Sequence, residues 1–117
     1  MISISLCMIV KDEELVIGRC LDSVKDLVDE IIIVDTGSTD KTKDIAIMYT
    51  DNLYDFEWIN DFSAARNFSF SKARKDYILW LDADDILLNE DKIKFQQLKE
   101  TLDNKVDMEI MKYNVTF

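Results

Sequence analysis

Three apolar runs in this chain stop on charge. ISISLCMIV runs into Lys11 and Asp12, EIIIVD closes on Asp35, and YILWL meets Asp82, with Asp84 and Asp85 close behind. The runs are nearly continuous and rich in β-branched residues, as strands covered on both faces are. Between them lie segments with apolar residues at helical spacing. Strands that alternate with helices imply crossover connections and a mainly parallel sheet. The expected fold is therefore α/β, a Rossmann-like sheet flanked by helices.

Residues 2–10 are predicted as the first strand. Residues 11–28 follow as a helix, with Ile17, Cys20, Leu21, Val24, Leu27 and Val28 on the apolar face. Asp12 is its expected N-cap, and the early glutamates suit its dipole. Residues 30–35 form the second strand, GSTDKT a turn, and DIAIMYT a short helix. Residues 52–58 make a third, less apolar strand nearer an edge. A helix over residues 60–75 opens at Asn60 or Asp61 and buries Phe62, Ala65 and Phe68. Residues 76–82 are the fourth strand. Residues 89–102 are a helix capped by Asn89 with Ile93, Leu98 and Leu102 inward, and residues 106–117 a last strand. The 117 residues read as a single domain, with no repeat or linker.

The charge excludes some partners. Acidic residues outnumber lysine and arginine by 24 to 14, a net −10, which repels nucleic acid and anionic surfaces and attracts cations. Cys7 and Cys20 sit in strand-like and helical apolar contexts and read as buried free thiols. No run is long enough to span a bilayer, so no transmembrane segment is expected. The expected location is cytoplasmic, with any attachment to the inner membrane face made through parts outside this sequence.

In open parallel sheets, ligands bind beyond the carboxyl ends of the strands. Lys11, Asp12, Asp35, Thr36 and the acids Asp82, Asp84 and Asp85 would all emerge along that rim. Clustered carboxylates suit a hard divalent cation, Mg²⁺ or Mn²⁺, that keeps positions free for phosphate oxygens. The chain has no histidine and no cysteine pair at zinc spacing. An acidic loop that merely caps a helix is the competing explanation. Gly37 permits a turn with positive φ, and Ser38, Thr39 and Asp40 offer caps for the next helix. Asp35 precedes that turn, placed to accept hydrogen bonds from a base or ribose. Arg66 could reach a phosphate or pair with a rim carboxylate, and a surface ion pair that contributes little to stability is an equal alternative. Trp58 and Trp80 read as core.

Taken in order, LCMIVKDEE, DEIIIVDTGSTDKT, DFSAARN and DYILWLDADD resemble the start of the family 2 glycosyltransferases of the GT-A fold. Each motif alone is weak; the ordered set is specific. The resemblance implies a nucleotide-activated sugar as donor, with a UDP-sugar the leading expectation. The acceptor is an unspecified glycan, lipid or protein. It implies that Asp35 contacts the nucleoside, where many members carry two consecutive acids and this chain has Asp35 then Thr36. It maps the Asp-x-Asp motif onto Asp82 and Asp84. Asp84 would bind Mn²⁺ or Mg²⁺, Asp82 would lie near the ribose or metal, and Asp85 would be a second ligand. Lys11 and Asp12 would border the nucleoside, and Arg66 and Asn67 match the family's Ala-Arg-Asn. Transfer with inversion is implied. The catalytic base and acceptor pocket come later in such enzymes, so the general base is expected beyond Phe117. The chain is expected to be the donor-binding half, truncated at its C-terminal end and inactive alone.

Two other readings compete. A haloacid dehalogenase-like phosphatase also ends an apolar strand in Asp-x-Asp, but on its first strand, and here the motif follows the fourth. A non-catalytic receiver-like domain would place its main acids after the first and third strands.

Overall fold

The computed structural model describes residues 3–83, 93 and 110–112. Within them run β1 (Ile4–Val10), α1 (Ile17–Val24), β2 (Glu30–Asp35), α2 (Thr42–Ala46), β3 (Leu53–Asp55), α3 (Phe62–Lys72), β4 (Tyr77–Trp80) and β5 (Ile110–Lys112). The strands form one sheet in the order β3-β2-β1-β4-β5, and every pairing is parallel. The expected Rossmann-like α/β sheet is what the chain forms.

The sheet is buried on both faces because β1 alternates between two cores. Ile4, Leu6, Met8 and Val10 join Tyr77, Leu79 and Leu81 of the β4 segment under Ile17, Cys20, Leu21 and Val24 of α1 and Ala46 of α2. Cys7 faces the other way, with Ile32, Ile78 and Trp80, against Phe70 and Ala73 at the end of α3. Each fully buried leucine or isoleucine contributes about 1.5–3 kcal/mol. Ala65 and Ser69, one turn apart, are the buried residues of α3, and the Cys7 thiol donates to the Ser69 carbonyl at 3.7 Å. Small side chains bring this helix close to the sheet. The expected stripe is thus corrected: Phe62 is 48 % exposed and Phe68 half-buried.

Both cysteines are buried and free, as expected. Burial, with the Glu30 charge adding to it, pushes the Cys7 thiol up to about 12. Among the described residues no helix is long and apolar enough to cross a membrane.

Other boundaries moved. Asp12 is not a helix cap: α1 starts only at Ile17, without a side-chain cap, and the Asp12 carboxylate is taken by the Thr39 N–H; its φ of 53° is left-handed. Asp61 caps α3, accepting the Ala64 N–H at 3.1 Å. Strand β3 is shorter than expected and lies at the sheet edge. Ile93, expected to point inward, is 61 % exposed. The rest of the predicted helix over 89–102 lies outside the described residues. So does the predicted last strand outside Ile110–Lys112, including Phe117, beyond which the general base is expected.

Candidate functional site

The order of the sheet reverses at β1. The chain builds outward through β2 and β3, then returns to place β4 on the other side. The crevice between the carboxyl ends of β1 and β4 is a topological switch point, where open α/β sheets take ligands. Lys11 and Asp12 leave β1 there, Asp35 and Thr36 close β2, and Asp82 follows β4. These five sequence-predicted residues therefore share one rim. Asp84 and Asp85 lie outside the described residues.

Two adjoining cavities open along this rim. One, of about 340 Å³, is lined by Asp35, Thr36, Lys43, Asp55, Phe56 and Trp58, among others. The second, of about 270 Å³, is lined by Val10, Lys11, Glu13, Thr36, Trp58 and Phe62, with Ile9. Thr36 and Trp58 belong to both, so the two adjoin as one rim cleft divided at these residues, beyond β3, β2 and β1.

Asp35 is 2 % exposed. Its Oδ1 accepts the N–H groups of Gly37 and Ser38 at 2.9 and 2.8 Å, which fixes the carboxylate plane. Gly37 stands at φ 120°, a turn open to glycine and strained for other residues. Among the described residues, the buried side-chain polar atoms without a hydrogen-bond partner are Asp35 Oδ2 and Arg66 Nε. Buried polar groups are nearly always paired, so each exception needs an explanation. These two exceptions fall on two residues that the sequence had already singled out. Arg66 forms no ion pair among the described residues; its guanidinium lies 6.0 Å from the Phe70 ring centre. Neither rim cavity includes it in its lining.

Asp12 has a structural task. Its Oδ1 accepts the Thr39 N–H at 2.7 Å, and its own N–H donates to Ser38 Oγ at 2.9 Å. The N–H groups of Glu13 and Glu14 donate to Thr42 Oγ1 at 2.8 Å and Asp40 Oδ2 at 3.3 Å. The loops after β1 and β2 are thereby laced together under the cleft. Desolvation pushes the Asp40 carboxyl up, but hydrogen bonds from Thr42 and Glu14 outweigh it and hold it below the usual range. Ser38 and Thr39 brace this loop pair, while Asp40 does both: its Oδ1 accepts the N–H of Thr42, the first residue of α2, at 2.9 Å, as the expected capping role requires.

Sequence reasoning missed Lys43, Asp55 and Trp58. Lys43 Nζ donates to Asp55 Oδ1 at 2.7 Å on the cavity wall. That bond raises the pKa of the lysine against the opposing pull of desolvation. Trp58, read as core, is 41 % exposed on the cleft, with its indole N–H on Asn60 Oδ1 at 3.0 Å. Trp80 is core as expected.

Asp82 is exposed beyond β4, while the Cys20 thiol beneath it donates to its carbonyl oxygen at 3.6 Å. Among the described residues no three side chains gather as a metal site, and Asp84 and Asp85 lie outside them; aspartate oxygens are the donor type that Mg²⁺ and Mn²⁺ take.

The sequence pattern of the family described as "Glycosyl transferase family 2" matches residues 5–116. This chain belongs to glycosyl transferase family 2. Relatives of the family share most of it. The prophage-derived glycosyltransferase SunS of Bacillus subtilis is 39 % identical over 103 residues, 86 % of this chain and 24 % of that protein. A TPR repeat-containing protein of Synechococcus elongatus is 48 % identical over 103 residues, 88 % of this chain and 25 % of its own. Among solved structures, glucosyl-3-phosphoglycerate synthase of Mycobacterium tuberculosis superposes with a TM-score of 0.63 at 27 % identity, over 73 % of this chain and 36 % of that one. That synthase has been solved with Mn²⁺ and UDP-glucose. The fold is that of the GT-A glycosyltransferases, and family membership removes the phosphatase and receiver readings. The chain spans about a quarter of the length of these curated relatives.

Proposed function

We propose that the rim binds the nucleoside diphosphate of an activated sugar and that the protein serves glycosyl transfer to an acceptor hydroxyl. The observation that carries this is Asp35, a buried carboxylate at the carboxyl end of β2 that lines a rim cavity and keeps one buried oxygen without a hydrogen-bond partner. A buried acceptor of this kind awaits an N–H or a hydroxyl from a ligand. The complexes of the mycobacterial synthase with UDP-glucose and Mn²⁺ support the same donor class, UDP-sugars first.

Strand spacing supports the layout. Neighbouring strands lie about 4.8 Å apart, so two steps from β2 to β4 separate Asp35 from Asp82 by about 10 Å along the rim. That matches a nucleoside at Asp35 and a diphosphate reaching toward Asp82. Asp35 accepts from base or ribose, and Thr36 closes the floor between the cavities. Lys11, exposed at the end of β1, gives positive charge where the diphosphate crosses. Asp12 holds the wall in place through Thr39. Arg66, whose buried Nε lacks a partner, stands outside the lining of both cavities and would meet the donor nucleotide only after its side chain moves. Asp82, Asp84 and Asp85 would hold Mn²⁺ or Mg²⁺, which when bound supplies Lewis acidity to the leaving diphosphate. The acceptor hydroxyl then attacks the anomeric carbon with inversion, assisted by a carboxylate base that belongs beyond Phe117 in this reading. This chain alone is therefore expected to bind donor and transfer no sugar. A cytoplasmic location, where nucleotide-sugars would be the donors, belongs to the same reading.

Calorimetric titration with UDP, GDP, CDP and dTDP, each with and without Mn²⁺, tests the reading. Mn²⁺-dependent heat with at least one of them is expected. Absence of heat with all four removes the proposal.

A further inference from the structure

The chain keeps a strand's alternation past the end of β4. Leu81 is buried, Asp82 exposed and Ala83 buried. Leu81 and Ala83 join Ile17, Cys20 and Leu21 of α1 in one core cluster. The ladder between β1 and β4 ends at the Cys7–Trp80 pair, whereas β1 itself runs on to Val10. Beyond that pair α1 takes over part of the hold. Cys20 is fully buried, and its thiol donates to the Asp82 carbonyl oxygen at 3.6 Å, across 62 residues of chain. The exposed acid is thus flanked by two buried neighbours, and its own backbone is bonded from below.

We propose that Cys20 is a positioning residue for the donor site: through the Asp82 carbonyl it fixes where that acid stands on the rim. The inference rests on the donor-site reading above, in which Asp82 serves the diphosphate end of the ligand. Cys20 lies in the core and touches no ligand; it acts only through the Asp82 backbone. Leu81 and Ala83 hold the segment down on either side, and the thiol sets the carbonyl between them. A carboxylate that must meet a ligand needs a backbone held in this way, because a small displacement of its base is carried to its oxygens.

A residue that only filled the core at this place would need no donor, and valine or alanine would serve. A thiol packs like a small apolar group and also offers a weak S–H donor. The Asp82 carbonyl is part-buried, where a backbone acceptor requires a partner. Cys7 supplies an internal comparison. It is buried as deeply, but its thiol donates to the Ser69 carbonyl at 3.7 Å on the opposite face of the sheet. The same chemistry there holds a helix and no rim residue.

The test is calorimetric titration of UDP, in Mn²⁺ and in EDTA, into the wild-type protein, C20V and C20A. Valine keeps the bulk and removes the donor; alanine removes both. Each variant is expected to lose about threefold of the affinity that Mn²⁺ adds, the value of one weak hydrogen bond, with the affinity in EDTA unchanged. A Cys20 that only fills the core would lower the urea midpoint and leave the Mn²⁺ gain at its wild-type size, and that result overturns the proposal. An equal loss in both conditions overturns it too, since it reports a general loosening of the cleft. A second measurement leaves Cys20 in place. In Cys7→Ser the Cys20 thiol is the only one in the chain, and its S–H stretching band falls in an otherwise empty infrared window. UDP with Mn²⁺ should shift that band, and an unmoved band overturns the proposal. A Mn²⁺ gain that both variants keep sinks this inference alone, whereas a wild type that gains nothing from Mn²⁺ sinks the donor-site reading with it.

Discussion

The carboxylate of Asp12 accepts the backbone N–H of Thr39 at 2.7 Å, across 27 residues of chain. This bond ties the loop after β1 to the loop after β2 under the cleft. Asp12 also holds a left-handed backbone, a region that aspartate and asparagine tolerate better than other non-glycine residues. Asp12→Asn keeps both an acceptor and the backbone preference and should stay within a few tenths of a kcal/mol of wild type. Asp12→Val loses the bond and strains the backbone, and should lose about 2 kcal/mol. Urea denaturation measures both, and hydrogen exchange at the Thr39 amide should accelerate in the valine variant only.

Asp35 separates stability from binding. Asp35→Ala removes the acceptor of two backbone N–H groups and should destabilise by about 2 kcal/mol. Asp35→Asn retains an oxygen toward the Gly37 and Ser38 amides but replaces the unpartnered oxygen with a donor. It should fold nearly as wild type and bind nucleoside diphosphate at least tenfold more weakly. Unchanged affinity in the asparagine variant would remove Asp35 from the site.

Cys7 predicts alkaline behaviour. Its thiol titrates near 9.0 in the unfolded chain and is pushed up to about 12 in the fold. Above pH 9 the unfolded state has released a proton that the native state still holds. Stability therefore falls with rising pH, by about 1.4 kcal/mol per unit, until the native thiol also titrates. Cys7→Ser should flatten the decline above pH 9 in denaturation profiles. Neither Cys7 nor Cys20 should react with a thiol reagent at pH 8 before denaturation, since both are buried.

Removing the divalent cation with EDTA should weaken UDP binding by at least tenfold, and Asp84→Asn should abolish the gain that Mn²⁺ gives. Titration in both conditions separates the two effects. Equal Mn²⁺ enhancement in the variant would dissociate the Asp-x-Asp motif from metal binding.

Trp58 is a built-in reporter. It is 41 % exposed and lines both rim cavities, whereas Trp80 is 9 % exposed in the core. Nucleoside diphosphate should quench tryptophan emission, and Trp58→Phe should remove the quench while the signal of Trp80 remains. A quench that survives the substitution would place the ligand elsewhere.

The strands were legible from sequence because a strand buried on both faces must be apolar throughout. The run Ile31, Ile32, Ile33, Val34 carries that signal undiluted between two acids, and the strand Glu30–Asp35 came out with its boundaries unchanged. The rim followed from the parallel arrangement, which placed Asp35 and Asp82 together without any knowledge of their contacts. The helix predicted from residue 11 failed because the fate of Asp12 is decided by Ser38 and Thr39, partners distant in sequence that no local pattern reveals. The buried pair Ala65 and Ser69 was hard to see because close packing selects small side chains, not apolar ones. Lys43 and Asp55 escaped notice for a similar reason. Their pairing depends on the register of an edge strand only three residues long. Trp58 looked like core because its residue type alone does not distinguish a buried ring from one that walls a cavity.

The central strand is also the first to be made. β1 pairs with β2 soon after synthesis, but its other neighbour, β4, aligns Tyr77 with Ile4 across more than seventy positions. As the polypeptide leaves the ribosome, one edge of β1 must wait until α3 and β4 have emerged. Pairing across such a distance slows folding, and an unpaired strand edge on a partly made chain is open to other chains. Nascent chains arrested before Tyr77 should accordingly be strong chaperone clients, and those extended past Trp80 and clear of the exit tunnel weaker ones.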